Sequence, residues 1–237
     1  MKTSVFVLAV LCALTAAAAV LFVREKLSGY TIKEVLLKSA ASMGFIFIAL
    51  FSACNAGSRS FAACVTGGLI CGLLGDIWLD CKYVYPKDND LFTFSGFYAF
   101  AAGHTLFMAA LLLNYASGTK PLFIIIPLAL GIVLGIANGF CGKLMKLDYG
   151  KYRSVSMFYG AFLFSMTLLS GSLALSRAWG CAALNLMFIG GVLFTVSDLV
   201  LSGTYFGQGH ERPIDIILNY LFYYSAQIII AVSVFFA

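Results

Sequence analysis

Eight apolar runs, each about as long as one membrane crossing, follow one another along this sequence and leave little between them. They fall at residues 4–23, 35–54, 61–81, 92–115, 121–141, 154–175, 181–203 and 214–236. A helix needs roughly 20 apolar residues to cross the hydrocarbon core while satisfying its own backbone. The breaks carry turn chemistry or charge, as in Asn55-Ala56-Gly57-Ser58, Pro86-Lys87-Asp88-Asn89-Asp90, Ser117-Gly118-Thr119-Lys120-Pro121 and the polar stretches at 146–151 and 207–213. Only 11% of the residues are charged and 62% are hydrophobic, where a soluble domain carries roughly a quarter charged. The expected fold is therefore all-α: a polytopic transmembrane helix bundle of about eight spans, one membrane domain over 1–237.

The first run also fits a secretory signal peptide, with Lys2 ahead of it and small residues at 16–19. Its continuation through 20–23 into Arg24 makes a full span with a basic trailing flank and favours a retained helix. Of the 15 Lys and Arg, eleven lie in or beside the odd-numbered connections: Arg24, Lys26, Lys33, Lys38, Lys82, Lys87, Lys143, Lys146, Lys151, Arg153 and Arg212. Lys2, Arg59, Lys120 and Arg177 lie on the other side. The positive-inside rule then puts the odd connections in the cytoplasm and both termini outside it, in the cell (inner) membrane. The halves 1–118 and 119–237 also look alike. Asp76 precedes His104 by 28 residues, and Asp198 precedes Gln227 by 29, as in a parallel duplication of a four-helix unit.

Several chemistries are disfavoured. Seven scattered cysteines show no disulfide framework or CxxC spacing. His104 and His210 are too few for a three-histidine zinc centre, so no metal is expected. The net charge of +5 suits an anionic membrane surface and identifies no nucleic-acid partner.

Ionisable groups inside a bilayer cost roughly 2.5–3.5 kcal/mol each on insertion scales, so each one points to function. Asp76 lies near the end of the third span and Asp198 at the matching depth of the seventh. Both would reach the same, cytoplasmic leaflet, and the sequence shows neither with an intramembrane cation partner. Asp80, one turn beyond Asp76, shares its face. His104 sits deeper in the fourth span, and Gly67, Gly68, Gly72 and Gly75 allow close helix approach around Asp76. Tyr98, Tyr159, Tyr220, Tyr223, Tyr224 and Gln227 bring polar tips to the same half or the midplane. Of these, Tyr98, Tyr159, Tyr220, Tyr224 and Gln227 are candidate substrate contacts. His210 and Glu211 read as solvated loop residues.

Four fragments in order, Gly75-Asp76-Ile77-Trp78-Leu79, Gly96-Phe97-Tyr98-Ala99-Phe100 with His104, Leu193-Phe194-Thr195-Val196-Ser197-Asp198, and Tyr223-Tyr224-Ser225-Ala226-Gln227, resemble the YhhN-type lysoplasmalogenase family. The resemblance implies an integral membrane ether hydrolase. Its substrate would be a lysophospholipid with a 1-alkenyl (vinyl) ether, split to a fatty aldehyde and glycerophosphoethanolamine or glycerophosphocholine. A vinyl ether is cleaved by protonating its β-carbon, and the resulting oxocarbenium ion is captured by water. That chemistry needs one carboxylic acid and one carboxylate, as in glycosidases, and no metal or organic cofactor. The expected acid/base unit is Asp76 with Asp198, one kept protonated by their mutual repulsion, with His104, Asp80 and Gln227 holding it by hydrogen bonds. Lys82, Lys143, Lys151, Arg153 and Arg212 are candidates to meet the phosphate as the lipid enters sideways from the cytoplasmic leaflet. The competing class is a proton- or cation-coupled transporter using Asp76, Asp198 and His104.

The charge bias makes one prediction of its own. A reporter fused after Ala237 should read as non-cytoplasmic, and a cytoplasmic signal would reverse the assigned orientation.

Overall fold

In a computed structural model, which describes residues 2–29, 31–142, 146–207 and 212–237, with Cys141 described in its backbone alone, the described residues form eight long helices. These are α1 (Lys2–Lys26), α2 (Ile32–Ala53), α3 (Arg59–Val84), α4 (Asn89–Tyr115), α5 (Leu122–Cys141), α6 (Arg153–Ser176), α7 (Ala182–Phe206) and α8 (Pro213–Ser233). All eight contain stretches long and apolar enough to cross a membrane, and the protein is a multi-pass membrane protein. Lys143, His210 and Glu211 lie outside the described residues.

The helix ends follow local chemistry. Thr31 caps α2 by accepting from the Glu34 N–H at 3.3 Å, and Ser58 caps α3 by accepting from the Phe61 N–H at 3.2 Å. Pro213 opens α8, where a missing N–H costs nothing. Several helices outrun their apolar cores at the end that carries the odd-numbered connections. There α2 starts at Ile32 and α3 continues to Val84, so that Glu34, Lys38, Asp80 and Lys82 are helical rather than loop residues. This is the charged end of the bundle.

Consecutive helices pair as antiparallel neighbours except α4 and α5, α4 packing on α6 instead, and α2, α3, α4, α6, α7 and α8 close around a common interior. Helix α1 lies outside against α2 and α8, while α5 packs on α6. The tight pairs are made by missing side chains. A Cβ on Gly75 would fall 2.6 Å from the Phe100 ring, and one on Gly103 would fall 2.9 Å from the backbone oxygen of Gly68. On α5, Gly131, Gly135 and Gly139 form a seam at four-residue spacing that seats the helix against Ser165, Ala161 and Met157 of α6. With lipid outside, such close backbone approach supplies the van der Waals contact that the hydrophobic effect supplies in water.

The α3–α4 seam is testable. Gly103→Ala would have to push Gly68 away and should cost about 1–3 kcal/mol. Gly203→Ala, whose new methyl meets open space, should be neutral. Thermal unfolding in detergent checks both, and equal melting of the two variants would contradict the tight packing described.

Candidate active site

Glu34, Lys38 and Ser42 recur every four residues on α2, which puts them on one helix face. That face turns toward the end of α3. Lys38 Nζ lies 3.1 Å from Asp80 Oδ2 and 3.4 Å from Asp76 Oδ1. Lys26, at the end of α1, lies 2.5 Å from Glu34 and 3.4 Å from the other Asp80 oxygen. All five residues are at most 7% exposed. Three acids and two lysines thus form one buried cluster with a formal charge of −1. The Tyr220 ring, 5.3 Å from Lys38 Nζ, adds a cation–π contact.

Asp76 stands at the inner end of this cluster. Its Oδ2 accepts from Ser42 Oγ and from Tyr223 Oη, each at 2.6 Å. Gln227 Nε2 in turn donates to Tyr223 Oη at 3.0 Å, so Gln227 reaches Asp76 through the tyrosine. A Cβ on Gly72 would come within 3.0 Å of that amide nitrogen, which is why this turn of α3 is glycine.

Asp198, on α7, has a different setting. Its hydrogen-bond partner is Tyr159 Oη of α6, and no cation among the described residues pairs with it. Beside it, Asn219 Nδ2 donates to the Ser197 carbonyl at 2.9 Å, and Ser197 Oγ donates to the Asn219 carbonyl at 3.1 Å, which pins α7 to α8.

Asp76 and Asp198 line one narrow cleft of about 900 Å³, open mouth included, to which every helix from α2 to α8 contributes. No hydrogen bond joins the two carboxylates. Aromatic rings stand between their partners: Phe100 lies 6.2 Å from Tyr223 and 6.3 Å from Tyr159, and Phe194 lies 5.4 Å from Tyr223.

Several expectations are corrected. Asp76 does have an intramembrane cation, because Lys38 belongs to α2 and turns inward. Lys26 and Lys38, counted above as topology charges, are buried ion-pair partners; the remaining charges keep the same bias. The two aspartates have separate partners, Lys38, Ser42 and Tyr223 for Asp76 and Tyr159 for Asp198. Both ring nitrogens of His104 are buried without a hydrogen-bond partner, and the ring packs against Phe194 at 4.9 Å, so it holds neither carboxylate. Asp80 is tied to Lys38 and Lys26, away from the cleft wall.

Tyr98 is 56% exposed against Phe158 on the outer surface, since its neighbour Phe97 takes the inward position. Tyr159 and Tyr220 line the cleft. Tyr224 is buried behind it, 3.5 Å from the Lys38 carbonyl. Of the proposed phosphate contacts, Lys82 stacks over Tyr205 at 3.3 Å, Lys151 is paired with Asp90, Arg212 is paired with Asp215, and Arg153 is exposed. None of these four lines the cleft, whose lining cation among the described residues is Lys38. Lys38, Ser42 and Tyr223 are the residues that reading by span missed; the four-residue spacing on α2 was the available signal for the first two.

Fold and site define a polytopic membrane protein with a carboxylate-lined cavity inside its helix bundle. Residues 33–234 match the YhhN family, and the chain belongs to that family. No curated protein and no solved structure matches it.

The ion cluster makes its own prediction. Lys38→Met leaves two buried carboxylates short of their cation and should destabilise the protein by roughly 3–5 kcal/mol. Adding Asp80→Asn should recover part of the loss. Unfolding in detergent measures both, and a Lys38→Met variant as stable as the parent would show that the cluster does not hold α2 to α3.

Proposed function

We propose that this protein is a lysoplasmalogenase, hydrolysing the 1-alkenyl ether of a lysophospholipid to a fatty aldehyde and a glycerophosphodiester headgroup. The observation that carries the reading is the presence of two differently partnered aspartates on one aromatic-walled intramembrane cleft. Membership of the YhhN family supports it. In this reading the protein sits in the cell (inner) membrane, its acids toward the cytoplasmic leaflet, and takes its lipid sideways from the bilayer.

The partners suggest a division of labour. Asp76, beside the Lys38 ammonium and accepting from Ser42 and Tyr223, is the standing carboxylate. Asp198, with Tyr159 alone, is the proton donor. Asp198 gives its proton to the β-carbon of the vinyl ether, and the C=C π-pair forms the new C–H bond. The cation left on the α-carbon and ether oxygen is stabilised by the Asp76 charge and by the faces of Phe100, Phe194 and Tyr223. Water adds to the α-carbon and returns a proton to Asp198. The hemiacetal then collapses: its hydroxyl proton leaves, the C–O bond to glycerol breaks, and the glycerol oxygen is protonated. Aldehyde and alcohol result with the acid restored. The transporter reading lacks support from a polar path, because His104 bonds to neither aspartate.

Aldehyde release from a 1-alkenyl lysophospholipid by the purified protein is the direct test. Asp198→Asn and Asp76→Asn should each lower turnover by about 10²–10⁴-fold. The double variant should be little worse than either, since the two act on one transition state. Tyr159→Phe should cost about tenfold, the worth of one hydrogen bond to a reacting carboxyl. Asp76→Asn should still fold, because it brings the buried cluster to charge neutrality and leaves Lys38 with Asp80. Near-normal hydrolysis by a folded Asp198→Asn protein would sink the acid assignment, and proton flux in proteoliposomes without hydrolysis would support the carrier instead.

A further inference from the structure

Several serine and threonine hydroxyls in these helices return their proton to a carbonyl three or four residues back, as the buried Thr15, Ser170 and Ser233 do. Ser156 does not. It is 4% exposed, its Oγ has no hydrogen-bond partner among the described residues, and it lines the cleft. Two further cleft residues hold polar atoms in reserve. Asn138 of α5 accepts from Tyr149 Oη at 3.3 Å through Oδ1, while its Nδ2 has no hydrogen bond among the described residues. Ser202 of α7 lines the same wall, and its hydroxyl has no hydrogen bond among the described residues.

Their position relative to the acid is fixed by helix geometry. Ser156 precedes Tyr159 by three residues on α6, and Ser202 follows Asp198 by four on α7. The two helices are antiparallel, so both displacements run toward the charged end, by roughly 4.5–6 Å at 1.5 Å per residue. In a 1-alkenyl lysolipid, four bonds separate the protonated carbon from the glycerol carbon bearing the free hydroxyl, roughly 5 Å when extended. The polar wall and the hydroxyl thus coincide when the vinyl ether sits at Asp198 with its headgroup toward the charged end.

We propose that Ser156, Asn138 and Ser202 form the subsite that reads the free sn-2 hydroxyl and so selects lyso lipids over their 2-acyl counterparts; this rests on the hydrolase reading above. The Asn138 amide donates to the substrate oxygen, and a serine oxygen accepts its proton. These three residues are uncharged, which suits a neutral hydroxyl and not a phosphate. A 2-acyl group would fill the space and leave the Ser156 hydroxyl buried without a partner, and a site built around a hydroxyl rejects its absence strongly.

The test compares a 1-alkenyl lysophosphoethanolamine with its 2-deoxy analogue on the full-length protein. The parent protein should favour the hydroxylated lipid at least tenfold in kcat/KM. In the variant carrying Ser156→Ala and Asn138→Leu that preference should collapse toward one, with the loss confined to the hydroxylated lipid. Ser202→Ala, a smaller change at a less buried position, should lower the preference several-fold if the double variant fails to fold. An unchanged preference, or equal loss on both lipids, overturns the subsite. Binding of the saturated 1-alkyl lysolipid and its 2-deoxy form, measured by calorimetry, needs no turnover. Hydroxyl-dependent binding without any hydrolysis would sink the hydrolase reading and keep the subsite. Hydrolysis with no preference for the hydroxyl would do the reverse.

Discussion

The buried chain of ion pairs from Lys26 through Glu34, Asp80 and Lys38 to Asp76 is the constraint around which the rest of this bundle is arranged. Charges withdrawn from water are costly singly and tolerable only together, so removing either lysine leaves buried carboxylates uncompensated. Three helices are thereby held in one register at their charged ends: α1 through Lys26, α2 through Glu34 and Lys38, and α3 through both aspartates. Surface pairs such as Lys151 with Asp90 and Arg212 with Asp215 trim loops, but they are worth little by comparison. The cluster also fixes where Asp76 points, since one oxygen faces Lys38 while the other is aimed at Ser42 and Tyr223.

From that fixed point the cleft takes its chemistry by contrast. One wall carries a carboxylate with a cation and two hydroxyl donors, and the other carries a carboxyl with one tyrosine. Aromatic faces lie between them, and among the described residues Lys38 is the one cation lining the space. On the proposed reading, such a site would favour positive charge that appears transiently between its walls. The polar atoms of Ser156, Asn138 and Ser202, one turn nearer the charged end, then supply direction along the cleft.

The eight spans were legible because bilayer thickness imposes a length on each run, and every helix found overlaps its run with ends within three residues. Asp76 and Asp198 were legible as membrane carboxylates. Their partners were not, for a reason particular to Lys38. A lysine near a span end is ordinarily a topology charge, and only its spacing from Glu34 and Ser42 marks it as facing inward. His104 misled in the opposite sense, because a rare polar residue at depth suggests a hydrogen-bond role, yet its ring is enclosed by Phe107, Tyr159 and Phe194. Tyr98 was misplaced by one residue of helical rotation, since Phe97 took the inward position.

Helix α5 brings Asn138 to the cleft yet rests almost wholly on α6, along a seam of three glycines, with its other faces turned to lipid. The two sides of the cleft therefore differ in stiffness. Around Asp76 any displacement would have to break ion pairs, whereas at α5 it would mainly exchange one set of lipid contacts for another. On the proposed reading the cavity would be an anvil with one yielding jaw, the α5 side giving way to a bulky chain while the ion pairs keep Asp76 clamped.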